Sequence, residues 1–138
     1  MPHPENPAPT PLARFTALFL PLLLYCALIF WLSSAPRHVP GPSFAFKDKI
    51  LHFMAFGMVG ILAFRATRLL PIASRTKRCA LAVFYATCLG IADEVHQFFV
   101  PGRHADPMDI LADALGALFW TVLYIQIRKH PSFRHPLL

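Results

Sequence analysis

Four long apolar segments alternate with short polar ones along this chain. They run from Phe15 to Ser34, Lys49 to Phe64, Cys79 to Val100 and Asp109 to Ile127. A helix needs roughly 20 mostly apolar residues to cross about 30 Å of hydrocarbon, and each segment meets or nearly meets that length. The pattern predicts an all-α protein, an integral membrane four-helix bundle. The second segment is the shortest, so its helix is expected to be buried or tilted within the bundle.

The composition agrees with a membrane location, because 56% hydrophobic and 14% charged residues are too apolar for an ordinary soluble surface. A length of 138 residues allows one domain. We expect a disordered Pro-rich tail over residues 1–12, the four-helix domain over 13–129 and a basic tail over 130–138. The run Ser33-Ser34-Ala35 leaves a cleaved signal peptide as an alternative, although the first apolar segment exceeds the usual core of about 7 to 15 residues.

Lysine and arginine residues are distributed unequally between the two ends of the predicted helices. One end has four of the 13, Arg37, Lys47, Lys49 and Arg103. The other end has nine: Arg14, Arg65, Arg68, Arg75, Lys77, Arg78, Arg128, Lys129 and Arg134. The positive-inside rule makes the richer end cytoplasmic, with both termini cytoplasmic. The net charge of +6 is therefore explained by helix ends at anionic headgroups rather than by nucleic acid.

Six of the seven acidic residues, all except Glu5, lie beside or inside the apolar segments. They form three clusters: Asp48; Asp93 and Glu94; Asp106, Asp109 and Asp113. The predicted topology places all three clusters at the outer end. An unpaired carboxylate inside the membrane costs of order 2.5 to 3.5 kcal/mol, so a partner, a proton or water must offset that cost. These acids predict a functional site, with a structural ion pair of Asp93 and Glu94 to Arg103 or Lys49 as the alternative.

Helical periodicity predicts which of these side chains share a face. On the third helix, Asp93, His96 and Gln97 lie on one side. Glu94 and His96 are about 160° apart and therefore make poor ligands for one metal ion.

The fourth helix stacks Asp109, Asp113 and Gly116 at spacings of four and three residues. The acids are expected to point into the bundle, where Gly116 and Ala112 would let another helix approach closely. Asp106, followed by Pro107, has the pattern of a helix N-cap, which is the favoured interpretation for this acid. Asp109 fits a cap or a site equally well, whereas Asp113 is too deep for a cap.

Two basic or imidazole side chains accompany the acids. His52 follows Asp48 by one helical turn, a pairing that suits proton transfer or metal binding, although Asp48 could also simply cap its helix. Arg103 follows the turn signal Pro101-Gly102 and could clamp a phosphate or carboxylate, or pair with a headgroup or an aspartate.

Metal binding is left open by the sequence. An oxygen-rich site could be built from His52, His96, Asp93, Asp109 and Asp113, but no H-E-x-x-H or paired C-x-x-C spacing supports zinc. The cysteines Cys26, Cys79 and Cys88 fall in apolar segments and are interpreted as packing residues.

Three groups of residues, taken in order, resemble the VanZ-like family. They are Asp48-Lys49 with His52, Ala55 and Phe56; Ala92-Asp93-Glu94 with His96-Gln97 and Phe99 to Arg103; and Asp109 with Asp113 and Gly116. The resemblance implies a small bacterial polytopic membrane protein, some relatives of which are associated with teicoplanin resistance. The family pattern marks Asp48, Lys49, His52, Asp93, Glu94, Gln97, Arg103 and Asp109. This chain departs from the pattern at Asp113, where asparagine is usual, and at Phe119-Trp120, where a small residue is expected.

The leading hypothesis is an outer-facing intramembrane polar site that acts on a lipid-linked or cell-envelope substrate. The candidate catalytic residues are Asp93, Glu94, His52, Asp48 and Asp109. The candidate substrate-binding residues are Arg103, Lys49, Gln97 and Asp113. Expected partners are membrane lipids and a lipid-linked envelope precursor in the bacterial cytoplasmic (inner) membrane. A non-catalytic binding or shielding protein is the alternative, as is ion or proton transport by an oligomer, because one chain has no inverted repeat.

Overall fold

Four antiparallel helices, each long and apolar enough to cross a membrane, form the bundle. The computed structural model describes residues 10–35 and 46–130. The helices are α1 (Pro11–Ser33), α2 (Lys47–Ala66), α3 (Arg75–Phe98) and α4 (Pro107–Ile127), and a short 3-10 turn, Thr67–Leu69, follows α2. The predicted all-α class is confirmed. Most of the two predicted tails, residues 1–9 of 1–12 and 131–138 of 130–138, lie outside the described residues, as do residues 36–45.

The helices begin earlier than the apolar segments because polar residues form their first turns. Thr10 caps α1 by accepting from the Ala13 amide, and Ser74 caps α3 by accepting from the Lys77 amide. Helix α1 therefore includes Pro11, before the predicted domain boundary at residue 13. Helix α2 starts differently, since Phe46 precedes it in the left-handed region at φ 64° and supplies no side-chain cap.

Helix α2 lies at the centre of the bundle, as its short apolar segment predicted. It contacts all three other helices, most extensively α4. Half of the residues in its most apolar stretch are buried, a larger share than in any other described helix. Its residues Phe56 and Val59 are almost completely buried in the core. The outer helices instead expose large apolar side chains such as Trp31, Phe84 and Phe98, as expected for surfaces in contact with lipid.

Glycines allow α2 and α4 to approach closely. A Cβ added at Gly116 would collide with the backbone carbonyl of Phe53, and one added at Gly60 would meet the backbone of Ala117. The predicted role of Gly116 is therefore confirmed. Trp120 is one of the two large residues, Phe119-Trp120, where the resemblance predicts a small one, and its indole packs directly on Gly57 of α2. A large residue on one helix is matched by a glycine on the other.

The end of the bundle formed by the α2–α3 connection is rich in arginine. A cavity of about 140 Å³ there is lined by Phe64, Tyr124 and Ile125 together with five arginines, Arg65, Arg68, Arg75, Arg78 and Arg128. The Arg78 guanidinium lies over the Phe64 ring at 4.9 Å and donates to the Thr67 hydroxyl. The acidic clusters all lie at the opposite end, so the two ends of the bundle differ strongly in charge.

Candidate functional site

The antiparallel arrangement brings the three acidic clusters together at one end of the bundle. The first turns of α2 and α4 and the last turns of α3 meet there, so residues 48–52, 93–97 and 106–113 become neighbours. Six of their side chains are buried although they are polar: His52, Asp93, Glu94, Gln97, Asp109 and Asp113. Polar side chains buried together within membrane-spanning helices must satisfy one another or a ligand.

His52 and Asp113 form the most deeply buried pair. The imidazole Nδ1 lies 3.0 Å from the Asp113 Oδ1, and Asp113 is 0% exposed. An ionised Asp113 only accepts hydrogen bonds and therefore pairs with the imidazole tautomer that carries its proton on Nδ1. The pair spans α2 and α4. Gly90 of α3 makes room for it, because a Cβ at that position would collide with the Asp113 carboxylate.

The second ring nitrogen of His52 faces the acids of α3. His52 Nε2 lies 3.9 Å from the Glu94 Oε1. One donor atom each from His52, Asp93 and Glu94 lies within 4.8 Å of the other two. This geometry suits proton exchange between an imidazole and a carboxylate, and the same three side chains could hold a metal ion.

The other contacts of the α3 acids fix their orientation. The Gln97 amide nitrogen donates to Asp93 Oδ2 at 2.7 Å, and the Asp106 backbone amide donates to Glu94 Oε2 at 2.6 Å. Within the described part of the chain, the buried Oε1 of Glu94 and Oδ2 of Asp113 have no hydrogen-bond partner. A buried oxygen without a partner calls for an explanation, and a ligand, an ion or water at the site would supply one.

Lys49 pairs with the acids of α4. Its ammonium donates to Asp106 at 2.6 Å and to Asp109 at 3.1 Å. Asp106 also accepts from the Met108 amide, so its predicted role as the cap of α4 is confirmed. The hydrogen bond from Lys49 holds the pKa of Asp106 below its usual range. Asp109, 3% exposed, is a buried partner of Lys49.

Arg103 binds carbonyl groups at the end of α1. Its Nε donates to the Ala35 carbonyl and its Nη2 to the Leu32 carbonyl, both at 3.2 Å. The preceding Gly102 has φ 80°, which explains the glycine in the predicted turn. The sequence left open a structural ion pair of Asp93 and Glu94 with Lys49 or Arg103. Among the described contacts this alternative is wrong, because Lys49 binds the acids of α4 and Arg103 binds backbone carbonyls.

His96 does not belong to the group around His52, and its prediction as a possible metal ligand is wrong. Its Nε2 lies 2.9 Å from the Ser34 hydroxyl, and its ring packs on Phe30 at 4.2 Å. The position three residues after Asp93 is rotated by about 60°, which is enough to turn the ring toward α1. Asp48 lies half-buried in the first turn of α2, one turn before His52, and its catalytic role stays a prediction.

Two contributors to this end of the bundle were not predicted from the sequence, Ser34 as the partner of His96 and Gly90 as the space for Asp113. Gly90 does carry a signal, because Gly90, Asp93 and Gln97 are spaced by three and four residues and so share one helix face. Ser34 belongs to the stretch that resembles the VanZ-like family, but its partner could not be predicted, since the rotation of α1 relative to α3 cannot be read from either helix alone.

The fold and site together define a multi-pass membrane protein with a polar group buried at one end of four helices. The chain belongs to the VanZ/LLP1 family, whose sequence model matches residues 9–128 and so covers all four helices. Comparison with curated proteins and with solved structures gave no significant match.

Proposed function

We propose that this protein acts on a lipid-linked or cell-envelope substrate by acid-base chemistry at the outer face of the bacterial cytoplasmic membrane. The observation that carries the proposal is the His52 imidazole, which is oriented by Asp113 through Nδ1 and directs Nε2 at Glu94. A base held by a carboxylate on one side and facing a second carboxylate on the other is the arrangement of a general acid-base pair.

Residues around this pair receive the roles expected for an anionic lipid substrate. Glu94 or Asp93 serves as the general base and His52 as the acid or base. Lys49 and Arg103, at the same end, attract the headgroup. Gln97 orients Asp93, and Asp113 orients His52, so both act as positioning residues rather than as substrate contacts.

A groove between α3 and α4 supports a lipid as the substrate. It has a volume of about 340 Å³, and Glu94 is one of its walls. Its seven apolar lining residues are Ile91, Val95, Phe98, Phe99, Ala105, Pro107 and Ile110. Several of them are strongly exposed on the lipid-facing surface, for example Phe98 at 70%. An acyl or isoprenyl chain in this groove would enter from the bilayer and bring its headgroup to the polar group.

Turnover of an envelope lipid is the direct test of this function. Purified protein in liposomes of radiolabelled envelope lipids is expected to convert one species, and Glu94→Gln to reduce the rate by roughly 100-fold or more, the usual contribution of a general base. Glu5→Gln, the same change at the one acid outside the clusters, should leave the rate unchanged. Equal lipid profiles for the wild type and Glu94→Gln would contradict catalysis.

The extensive internal bonding of the acids favours one second candidate. Asp93, Glu94 and Asp109 each bond to another group of the chain, as expected for a polar core that binds or shields an envelope component without chemistry. Teicoplanin susceptibility of cells expressing the protein discriminates the two functions. Protection that survives both Glu94→Gln and His52→Ala would favour shielding.

The orientation proposed here places the acidic end outside and the arginine-lined cavity in the cytoplasm, in accord with the positive-inside rule. Alkaline phosphatase inserted between residues 70 and 74 is expected to be inactive, and the same enzyme inserted after Gly102 to be active, because it folds only outside the cytoplasm. A fluorescent protein at the two positions should give the opposite pattern. Phosphatase activity from the 70–74 insertion in intact cells would contradict this topology and the outer location of the site.

A further inference from the structure

We infer that His52, Asp93 and Glu94 bind one divalent metal ion. The three side chains come from two helices and are 9%, 6% and 3% exposed. His52 Nε2 is the ring nitrogen that remains after Nδ1 bonds to Asp113, and it lies 3.9 Å from Glu94 Oε1. This inference keeps the substrate of the proposed function but replaces the acid-base role of His52, because a ring nitrogen bound to an ion cannot also carry a proton. The ion site itself follows from the donor geometry.

The donors reach one ion only after their side chains move inward. One donor atom of each residue lies within 4.8 Å of the others. Two ligands about 2.1 Å from a common ion are roughly 3.4 Å apart at the tetrahedral angle, so the widest pair has to close by at most about 1.4 Å. The His52 to Glu94 pair, at 3.9 Å, has to close by about 0.5 Å. Rotation of the two carboxylate side chains can supply this movement.

The charge of this group also favours a cation. Asp93, Glu94 and Asp113 are buried carboxylates within membrane-spanning helices, and His52 is the basic group that contacts them in the described part of the chain. Lys49 is engaged by Asp106 and Asp109 instead. A divalent ion would compensate two of these negative charges. Without compensation, carboxylates within a bilayer are energetically costly.

Each proposed ligand is held by a further group, as metal ligands usually are. His52 Nδ1 contacts Asp113, the Gln97 amide donates to Oδ2 of Asp93, and the Asp106 amide donates to Oε2 of Glu94. The remaining Glu94 oxygen, Oε1, is buried and has no hydrogen-bond partner among the described residues. These contacts hold the three side chains in place and leave Nε2 of His52 and Oε1 of Glu94 facing each other.

The donor set selects the class of metal. Two carboxylates and one imidazole suit Mn²⁺, and Zn²⁺ accepts the same donors. Three protein ligands leave coordination positions open, as in catalytic rather than structural sites. An ion in this position would polarise a phosphoryl or carbonyl oxygen of a headgroup that reaches Glu94 along the groove.

Mn²⁺ titration of the purified, EDTA-treated protein tests the site by the loss of the free-ion electron paramagnetic resonance signal. The wild type is expected to bind one Mn²⁺ per chain. Glu94→Gln and Asp93→Asn should each weaken binding at least 100-fold, and Asp113→Asn by about 10- to 100-fold, the usual effect of losing a group that orients a ligand. Glu5→Gln is the matched control and should bind within about threefold of the wild type.

A second measurement uses the wild type alone and therefore does not depend on whether the variants fold. Electron spin echo modulation of bound Mn²⁺ should show coupling to one imidazole nitrogen. Absence of stoichiometric Mn²⁺ binding, absence of that coupling, or equal binding by the Asp93 and Glu94 variants would overturn the inference. Lipid turnover that resists EDTA would overturn the metal site and leave the proposed function intact. Metal binding without any lipid turnover would contradict the proposed function and leave the metal site intact.

Discussion

Gly116→Leu is expected to unfold the bundle in detergent. The side chain would enter a close backbone contact between α2 and α4, where a Cβ meets the backbone carbonyl of Phe53. A backbone atom cannot rotate away as a side-chain end can, so the helices must separate along the largest interface of the protein. We expect a loss of about 3 kcal/mol or more, the upper end of the range for overpacked cores. Unfolding in mixed dodecylmaltoside and SDS micelles measures it.

Ala92→Leu is the matched control for this substitution. It adds a leucine to a membrane-spanning helix at an exposed position, where we expect a change within about 0.5 kcal/mol. Gly57→Ala should fall between the two variants. Its Cβ meets the side chain of Trp120 rather than backbone. Similar stabilities for Gly116→Leu and Ala92→Leu would show that the two helices do not depend on the glycine contact.

The helices could be predicted from the sequence because membrane spans are apolar over most of their length. The predicted start of α3 at Cys79 is four residues late, because the polar turn from Arg75 is helical but outside the hydrocarbon pattern. Such a turn is stabilised by the Ser74 cap, which an apolar count does not register.

The candidate site was predicted as a set of residues but not as a set of contacts. Helical periodicity places Asp113 on the inner face of α4, yet it cannot indicate that the partner is His52 rather than Lys49. That choice depends on the rotation and depth of α2 against α4, which Gly60 and Gly116 set through close backbone contact. His96 was assigned to the wrong neighbours for the same reason, since its position on α3 borders both α1 and the acidic group.

Loss of His52 alone is expected to be more damaging than loss of both His52 and Asp113. His52→Leu leaves a carboxylate that is 0% exposed without the imidazole that contacts it. Removing one partner of a buried charged pair costs about 3 to 5 kcal/mol, whereas replacing both by apolar groups is often neutral or stabilising. The pair His52→Leu with Asp113→Ala should therefore be more stable than at least one of its single variants.

A double-mutant cycle measures this coupling, which we expect to be roughly 1 to 3 kcal/mol for groups in direct contact. The control cycle combines His52→Leu with Ser74→Ala, the cap of α3 at the opposite end, and should be additive within about 0.5 kcal/mol. Additivity in the first cycle would show that the pair does not interact energetically. The double variant could prove stable and yet no longer bind Mn²⁺. That result would show that the bundle does not need the pair in order to fold. The buried histidine and aspartate would then be retained for the chemistry of the site.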